Sequence, residues 1–202
     1  HPSKMLEIAK NHEIASHGFY HSSFDKKDLA TSKKALEDIT NQSVTGFRMA
    51  RLKPVEDRDI QQAGYLYNSS MNPTYLPGRY NNFFEKRTPY YSDRLLNIPV
   101  SVTPLIRFPL FWLSFKNLPL SLYKFASKLT LDWDAYLNLY FHPWEFTNIR
   151  GYSLPGYITK HSGQAMLDRL ENYLIWIKPY GKFATFSEFQ DGMNPANLFK
   201  LR

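Results

Sequence analysis

At 202 residues, with 43% hydrophobic and 21% charged content, the chain is expected to form one domain, residues 1–202, with a substantial core. Its 25 Lys and Arg against 18 Asp and Glu give a net charge of +7, which favours anionic partners. No dense basic cluster goes with that charge, so nucleic acid is not expected. The absence of cysteine excludes disulfides, a thiol nucleophile and Cys-ligated zinc.

Residues 2–10 read as a short helix with Met5, Leu6 and Ile8 on its apolar side, and residues 13–16 as a strand. Residues 31–40 carry Ala35, Leu36 and Ile39 at helical spacing. A second strand is expected at 43–47 and a helix at 54–63, with Pro54 in its first turn and Gly64 past its end. Residues 65–68 give a third strand. This β-α-β-α-β alternation predicts a parallel sheet wrapped by helices.

Residues 69–92 are rich in Pro, Asn, Gly and Tyr and read as a long loop of the kind that carries function. A strand follows at 98–102. The aromatic stretch 105–129 reads as part helix and as a core or lid element, with a membrane contact through Phe108, Phe111, Trp112 and Phe115 as the alternative. No stretch reaches the roughly 18 uncharged apolar residues of a spanning helix. A strand at 136–141 delivers His142. Residues 163–178 give the clearest helix, with Met166, Leu167, Leu170, Leu174 and Ile177 as its stripe. Residues 183–184 and 187–190 close the chain as a short strand and a helical end.

The chemistry-bearing residues follow from this order. His17 and His21 are separated by three residues after a strand, where a turn brings both imidazoles to one side, and imidazole nitrogen suits zinc and similar metals. In a parallel βα architecture, residues past the carboxyl ends of strands gather on one face. His17, His21, Arg48, Asn68 and His142 all hold such positions. Aromatic content of 16% suits the packing of ring faces on sugars. The plainer alternatives are a hydrogen-bonded core histidine at His142, an ordinary salt-bridged Arg48, and a backbone-bonded Glu145.

Ser16-His17-Gly18-Phe19-Tyr20-His21, Gly46-Phe47-Arg48, Tyr67-Asn68-Ser69-Ser70 and Phe141-His142-Pro143-Trp144-Glu145 together resemble the ordered motifs of NodB-homology polysaccharide deacetylases. The likeness is to the subgroup with the His-Pro-Trp-Glu block, found with bacterial exopolysaccharide functions. The resemblance implies an α/β fold, a distorted (β/α)7-type barrel, here incomplete at its N-terminus. It implies a metal-dependent hydrolase that removes acetyl groups from a polysaccharide or lipid-linked glycan. His17 and His21 would hold a divalent cation, usually zinc, that activates water. Arg48 would orient the catalytic carboxylate, and His142 would protonate the departing amine. Tyr20 and Trp144 are the expected substrate contacts, and Glu145 is expected to contact substrate or to orient His142.

Two departures bear on this expectation. The family carries an Asp-Asp pair at the end of its first strand, supplying the base and a third ligand. Here only Glu13 and Asp25 are in range of His17. Ala50 stands where the Arg motif has a Pro. The expectation is a chain lacking the first strand of the fold. The alternative is a catalytically incomplete member that binds glycan or an anionic membrane surface. An incomplete barrel would expose a strand edge to a second copy, and the compartment stays open between bacterial cytoplasm and cell envelope.

Overall fold

A computed structural model describes residues 1–193. In chain order its elements are α1 (Pro2–Ala9), α2 (Lys27–Thr40), β1 (Gly46–Phe47), α3 (Asp57–Gln62), β2 (Tyr67–Asn68), β3 (Tyr75–Leu76) and β4 (Tyr80–Asn81). They continue as β5 (Tyr90–Ser92), β6 (Leu95–Asn97), α4 (Trp112–Asn117), α5 (Leu120–Asp134), α6 (Gly156–Thr159), α7 (Gln164–Ile177) and α8 (Phe186–Met193). Short 3-10 turns lie at Ala50–Leu52, Pro143–Phe146 and Lys178–Tyr180. The chain divides into two compact units. The first takes His1–Met71, Pro89–Pro99 and the described part of Ala184–Arg202, and the second takes Asn72–Thr88 and Val100–Phe183.

The first unit is a mixed sheet with helices. Its strand order is β1-β2-β6-β5, with the first three parallel and β5 antiparallel to β6. Gly46 lies opposite Tyr67, and Asn68 opposite both Phe47 and Asn97. The sheet is open. The expected strand at 13–16 contributes a single parallel bridge, Ser16 to Phe47, because only Ser16 N–H and the Ser16 carbonyl reach β1 and its exit (2.9 and 2.8 Å). The antiparallel β5–β6 hairpin begins inside the expected loop and ends before the expected strand at 98–102, which forms only the single bridge Val102 to Pro109; Asp93 at φ 51° turns the hairpin.

Helix α2 starts four residues earlier than its apolar spacing predicts. The Asp28 carboxylate accepts the Asp25 N–H (3.0 Å), and Asp25 accepts the Lys27 N–H (3.1 Å), so side chains take up first-turn donors. Asn41, left-handed at φ 53°, ends it. Helix α3 begins at Asp57, with Glu56 still extended, so Pro54 lies outside it. Leu29 of α2 and Ile60 of α3 pack with Val44, Phe47 and Leu95 from the sheet side. Each such burial contributes about 1.5–3 kcal/mol.

The second unit is mainly helical. Phe115 of α4 meets the rings of Tyr123 and Tyr173 edge-on at 5.0 and 5.6 Å, which joins α4, α5 and α7 in one core. Arg169 of α7 stacks over Phe115 and donates to the carbonyls of Phe115 and Leu118, serving the unpaired end of α4. The buried face of α7 is Met166, Tyr173 and Ile177, while Leu167 and Leu174 point outward, which shifts the expected stripe by about one residue. Phe111, Trp112 and Phe115 are buried and Phe108 is half-buried, so they are core rather than a membrane contact. Among the described residues no helix is long and apolar enough to cross a membrane. Residues 136–141 form no strand, and residues 183–184 form none either.

Candidate functional site

In the first unit, four chain segments end side by side past the carboxyl ends of parallel neighbours: Ser16 at its bridge, β1, β2 and β6. Gly46 lets β1 approach β2 because a Cβ there would sit 1.9 Å from the Tyr67 ring. Arg48 leaves β1 and donates to the Ser69 carbonyl (2.8 Å) and the Ser69 hydroxyl (2.7 Å). Its guanidinium also lies 5.7 Å from the Phe186 ring centroid. Asn68 donates to Asn97 (3.0 Å), Asn97 donates to Asp57 (2.8 Å), and the Asn68 side-chain oxygen accepts the Ser70 N–H and hydroxyl. Ser70 in turn receives the Met49 N–H at 2.9 Å. The expected strand-end positions of Arg48 and Asn68 are therefore occupied.

His17 leaves Ser16, and its Nδ1 donates to the Arg48 carbonyl at 2.9 Å. That bond sets the proton on Nδ1 and the lone pair on Nε2, as in a histidine prepared to ligate a metal. Gly18, at φ +79°, makes the turn towards His21, and the two imidazole centroids lie 6.2 Å apart. Two rings on one tetrahedral zinc would lie about 5 Å apart, given Zn–N distances near 2.0–2.1 Å. Tyr20 is 55% exposed and stacks edge-on with Phe19.

The carboxylates in sequence range are committed elsewhere. Glu13 accepts the Tyr67 hydroxyl, the Ser187 hydroxyl and the Ser187 N–H. Asp25 is held by Lys27, whose N–H and ammonium keep its carboxyl below the usual range. Among the described residues no group of three or more His, Asp or Glu side chains is placed to hold a metal ion. The His17–His21 pair thus fits zinc in ligand type and tautomer but not in donor number, since catalytic zinc takes three protein ligands.

In the second unit, His142 precedes the 3-10 turn Pro143–Phe146. Glu145 reaches back from that turn, and its Oε1 accepts both the His142 N–H and the His142 Nδ1, each at 2.8 Å. The imidazole stacks on Trp144 (5.5 Å) and meets Trp112 and Tyr140 edge-on. Trp144 is 38% exposed, whereas Glu145 is fully buried and points to His142 rather than to the surface where a substrate contact was expected. Asp134 is ion-paired with Arg87. Burial pushes its carboxyl up, against the pull of Arg87.

Several residues in these clusters carry no signal in the sequence. Asp57 and Asn97 join the first through tertiary contacts between distant segments. Lys116 lies fully buried beneath Trp112 and Trp144, and only its place inside an aromatic run hinted that it was not a surface lysine.

No family model matches the sequence, and no curated protein matches it. Solved structures do. A "putative polysaccharide deacetylase" from Mycobacterium smegmatis is similar at a TM-score of 0.59 and 18% identity, over 95% of this chain and 66% of that one. Puue allantoinase is similar at a TM-score of 0.60 and 15% identity, over 96% of this chain and 64% of that one. The chain has the mixed α/β fold of these proteins and spans about two thirds of the length of each.

Proposed function

We propose that the chain is a hydrolase of the polysaccharide deacetylase kind, removing an acetyl group from a glycan. The observation that carries this reading is the strand-end cluster of the first unit, with His17, Arg48 and Ser69 joined by hydrogen bonds and Asn68 bonded to Ser70 and Asn97 beside them, in a fold similar to a deacetylase and an allantoinase. Active sites of α/β proteins form at that end of the sheet.

The residues divide the work by their chemistry. Arg48 holds the strand ends in place and presents a fixed cation. His142, an imidazole with a carboxylate on Nδ1, suits proton transfer to a leaving nitrogen or oxygen near neutral pH. Tyr20 and Trp144 offer ring faces to a sugar. The proposed cofactor is a divalent cation, zinc by the softness of imidazole, for which His17 and His21 supply two donors; when bound, such an ion activates water. The three parallel strands would belong to a distorted (β/α) barrel.

The test is acetate release from N-acetylated chitooligosaccharides and from O-acetylated glycans, with and without added zinc. Zinc-stimulated release that is lost in His142→Gln and Arg48→Ala supports the reading. Saturable glycan binding without release supports instead a binding protein on the same fold, a reading favoured by the two-donor count at His17 and His21. Neither release nor binding overturns both.

A further inference from the structure

Two loops of the second unit put large apolar side chains into water side by side. Residues 103–108 form a turn closed by the Thr103 N–H to the Phe108 carbonyl (2.9 Å) and by the Arg107 N–H to the Thr103 carbonyl (3.1 Å). At its apex Leu105 is 77% exposed and Ile106 is 74% exposed. Leu105 and Arg107 are left-handed, at φ 63° and 53°, a strained conformation that the exposed Leu105 side chain recovers through no burial. The second loop follows the β3–β4 hairpin and carries Phe84, which is 95% exposed.

Arg107 fastens the two loops together. Its side chain donates to the carbonyls of Glu85 and Pro73, and its guanidinium lies 5.3 Å from the Phe83 ring centroid. The Arg107 carbonyl accepts the Thr74 hydroxyl at 2.7 Å, and Phe84 meets Phe83 edge-on at 5.4 Å. Phe84, Leu105 and Ile106 are thus gathered about one guanidinium, apart from the aromatic residues Phe111, Trp112 and Phe115 of the core.

Residues 72–88 and 103–108 hold Arg79, Lys86, Arg87 and Arg107 against Glu85 alone. Arg87 is paired with Asp134, whereas Arg79 and Lys86 are exposed. Apolar tips with a basic rim match an anionic lipid surface, where headgroups take the cations and the acyl boundary takes the tips. Two other covers match less well. A second copy would set the same basic rim, on a chain of net charge +7, against itself. A glycan or a nucleic acid is held on ring faces, and Leu105 and Ile106 offer none.

We propose that this loop pair docks the protein on an anionic membrane surface, with Phe84, Leu105 and Ile106 entering the headgroup–acyl boundary and Arg79 and Lys86 meeting lipid phosphates. The docking is peripheral and independent of any hydrolase chemistry.

The test is co-sedimentation of the full chain with vesicles of phosphatidylcholine alone and of phosphatidylcholine mixed with phosphatidylglycerol. Binding is expected on the anionic vesicles, with little on the neutral ones. The double variant Leu105→Ser/Ile106→Ser should bind at least about tenfold more weakly, and Lys86→Gln roughly fivefold more weakly. No binding to anionic vesicles overturns the proposal. Equal binding to neutral vesicles overturns the part given to the basic rim, and undiminished binding by the double variant overturns the assignment to these loops. Phe84→Trp gives a readout that does not depend on a loss. Its fluorescence should be quenched by acyl-brominated lipid beyond the quenching of the four native tryptophans, and no added quenching overturns the insertion. Sedimentation velocity without lipid completes the test: a dimer that Leu105→Ser/Ile106→Ser converts to monomer would give the patch to a second copy and overturn the membrane assignment.

Discussion

Arg48 and Ser69 are joined twice, the guanidinium Nε to the Ser69 carbonyl at 2.8 Å and Nη2 to the Ser69 hydroxyl at 2.7 Å. Ser69 passes the connection on, its hydroxyl donating to the Ile98 carbonyl at 2.7 Å. One side chain therefore ties the exits of β1, β2 and β6 together, and those exits hold the proposed site.

Arg48→Lys should break this tie. Lysine keeps the charge but lacks the planar fork that serves two acceptors at once. The expected cost is about 1–2 kcal/mol in urea unfolding, together with loss of most glycan deacetylation. Unchanged stability in Arg48→Lys would show that the two bonds contribute nothing net.

Gly46 and Tyr67 face each other across β1 and β2, and a Cβ on residue 46 would lie 1.9 Å from the phenol Cζ and oxygen. Tyr67 cannot swing aside cheaply, because its hydroxyl donates to Glu13 and its ring stacks on Phe186 at 5.3 Å. Gly46→Ala should therefore cost about 2–3 kcal/mol through overpacking. Tyr67→Leu should be costly alone but should relieve the clash, so the double variant is expected to be more stable than the sum of the two losses by about 1 kcal/mol or more. Strict additivity would mean that the strands part rather than clash.

Much of the first unit was legible because its strands and helices alternate at short spacing. The exits at Ser16, Phe47 and Asn68 fell where the reading put them, and with them His17 and Arg48. Residues 136–141 show the limit. Their period-two alternation reads as a strand, yet Leu137, Leu139 and Phe141 pack on the helical core, and Asn138 exchanges two hydrogen bonds with the distant Ser101 without a ladder forming. Alternation reports a two-faced extended segment, and whether a neighbour supplies a ladder depends on tertiary placement. The burial of Glu145 was equally hidden, since its reach back to His142 depends on a 3-10 turn capped from inside. Lys116 reverses the usual rule for lysine because two tryptophan faces and a carbonyl receive it.

Glu37 gives the fold a pH dependence whose sign can be stated. Its carboxylate accepts the Val44 N–H at 2.9 Å and pairs with Lys33 at 2.9 Å, closing the connection between α2 and β1. The Val44 N–H first, and Lys33 second, hold its pKa below the ordinary 4.5. A depressed carboxylate contributes stability above its unfolded pKa and loses it as pH falls through the folded one. Glu37→Gln should be less stable by about 1 kcal/mol at neutral pH, with the difference from the unsubstituted chain closing by about pH 3. Urea unfolding at both pH values reads this, and a difference that persists in acid would point to packing instead of charge.

His17 and His21 should bind zinc together or hardly at all. The Arg48 carbonyl fixes the His17 tautomer, but the 6.2 Å between ring centroids requires the loop at Gly18 to close by about an ångström around one ion. Replacing either histidine by alanine should weaken zinc binding by more than about 100-fold, a larger loss than removal of an outer-shell partner. Binding should also weaken in acid, because protonated imidazole is no ligand. Competition with a chelating dye, run on the unsubstituted chain, His17→Ala and His21→Ala, measures both effects. If one alanine variant keeps full affinity, the two imidazoles do not share an ion, and the polar network around Arg48 and Asn68 would have to work without them.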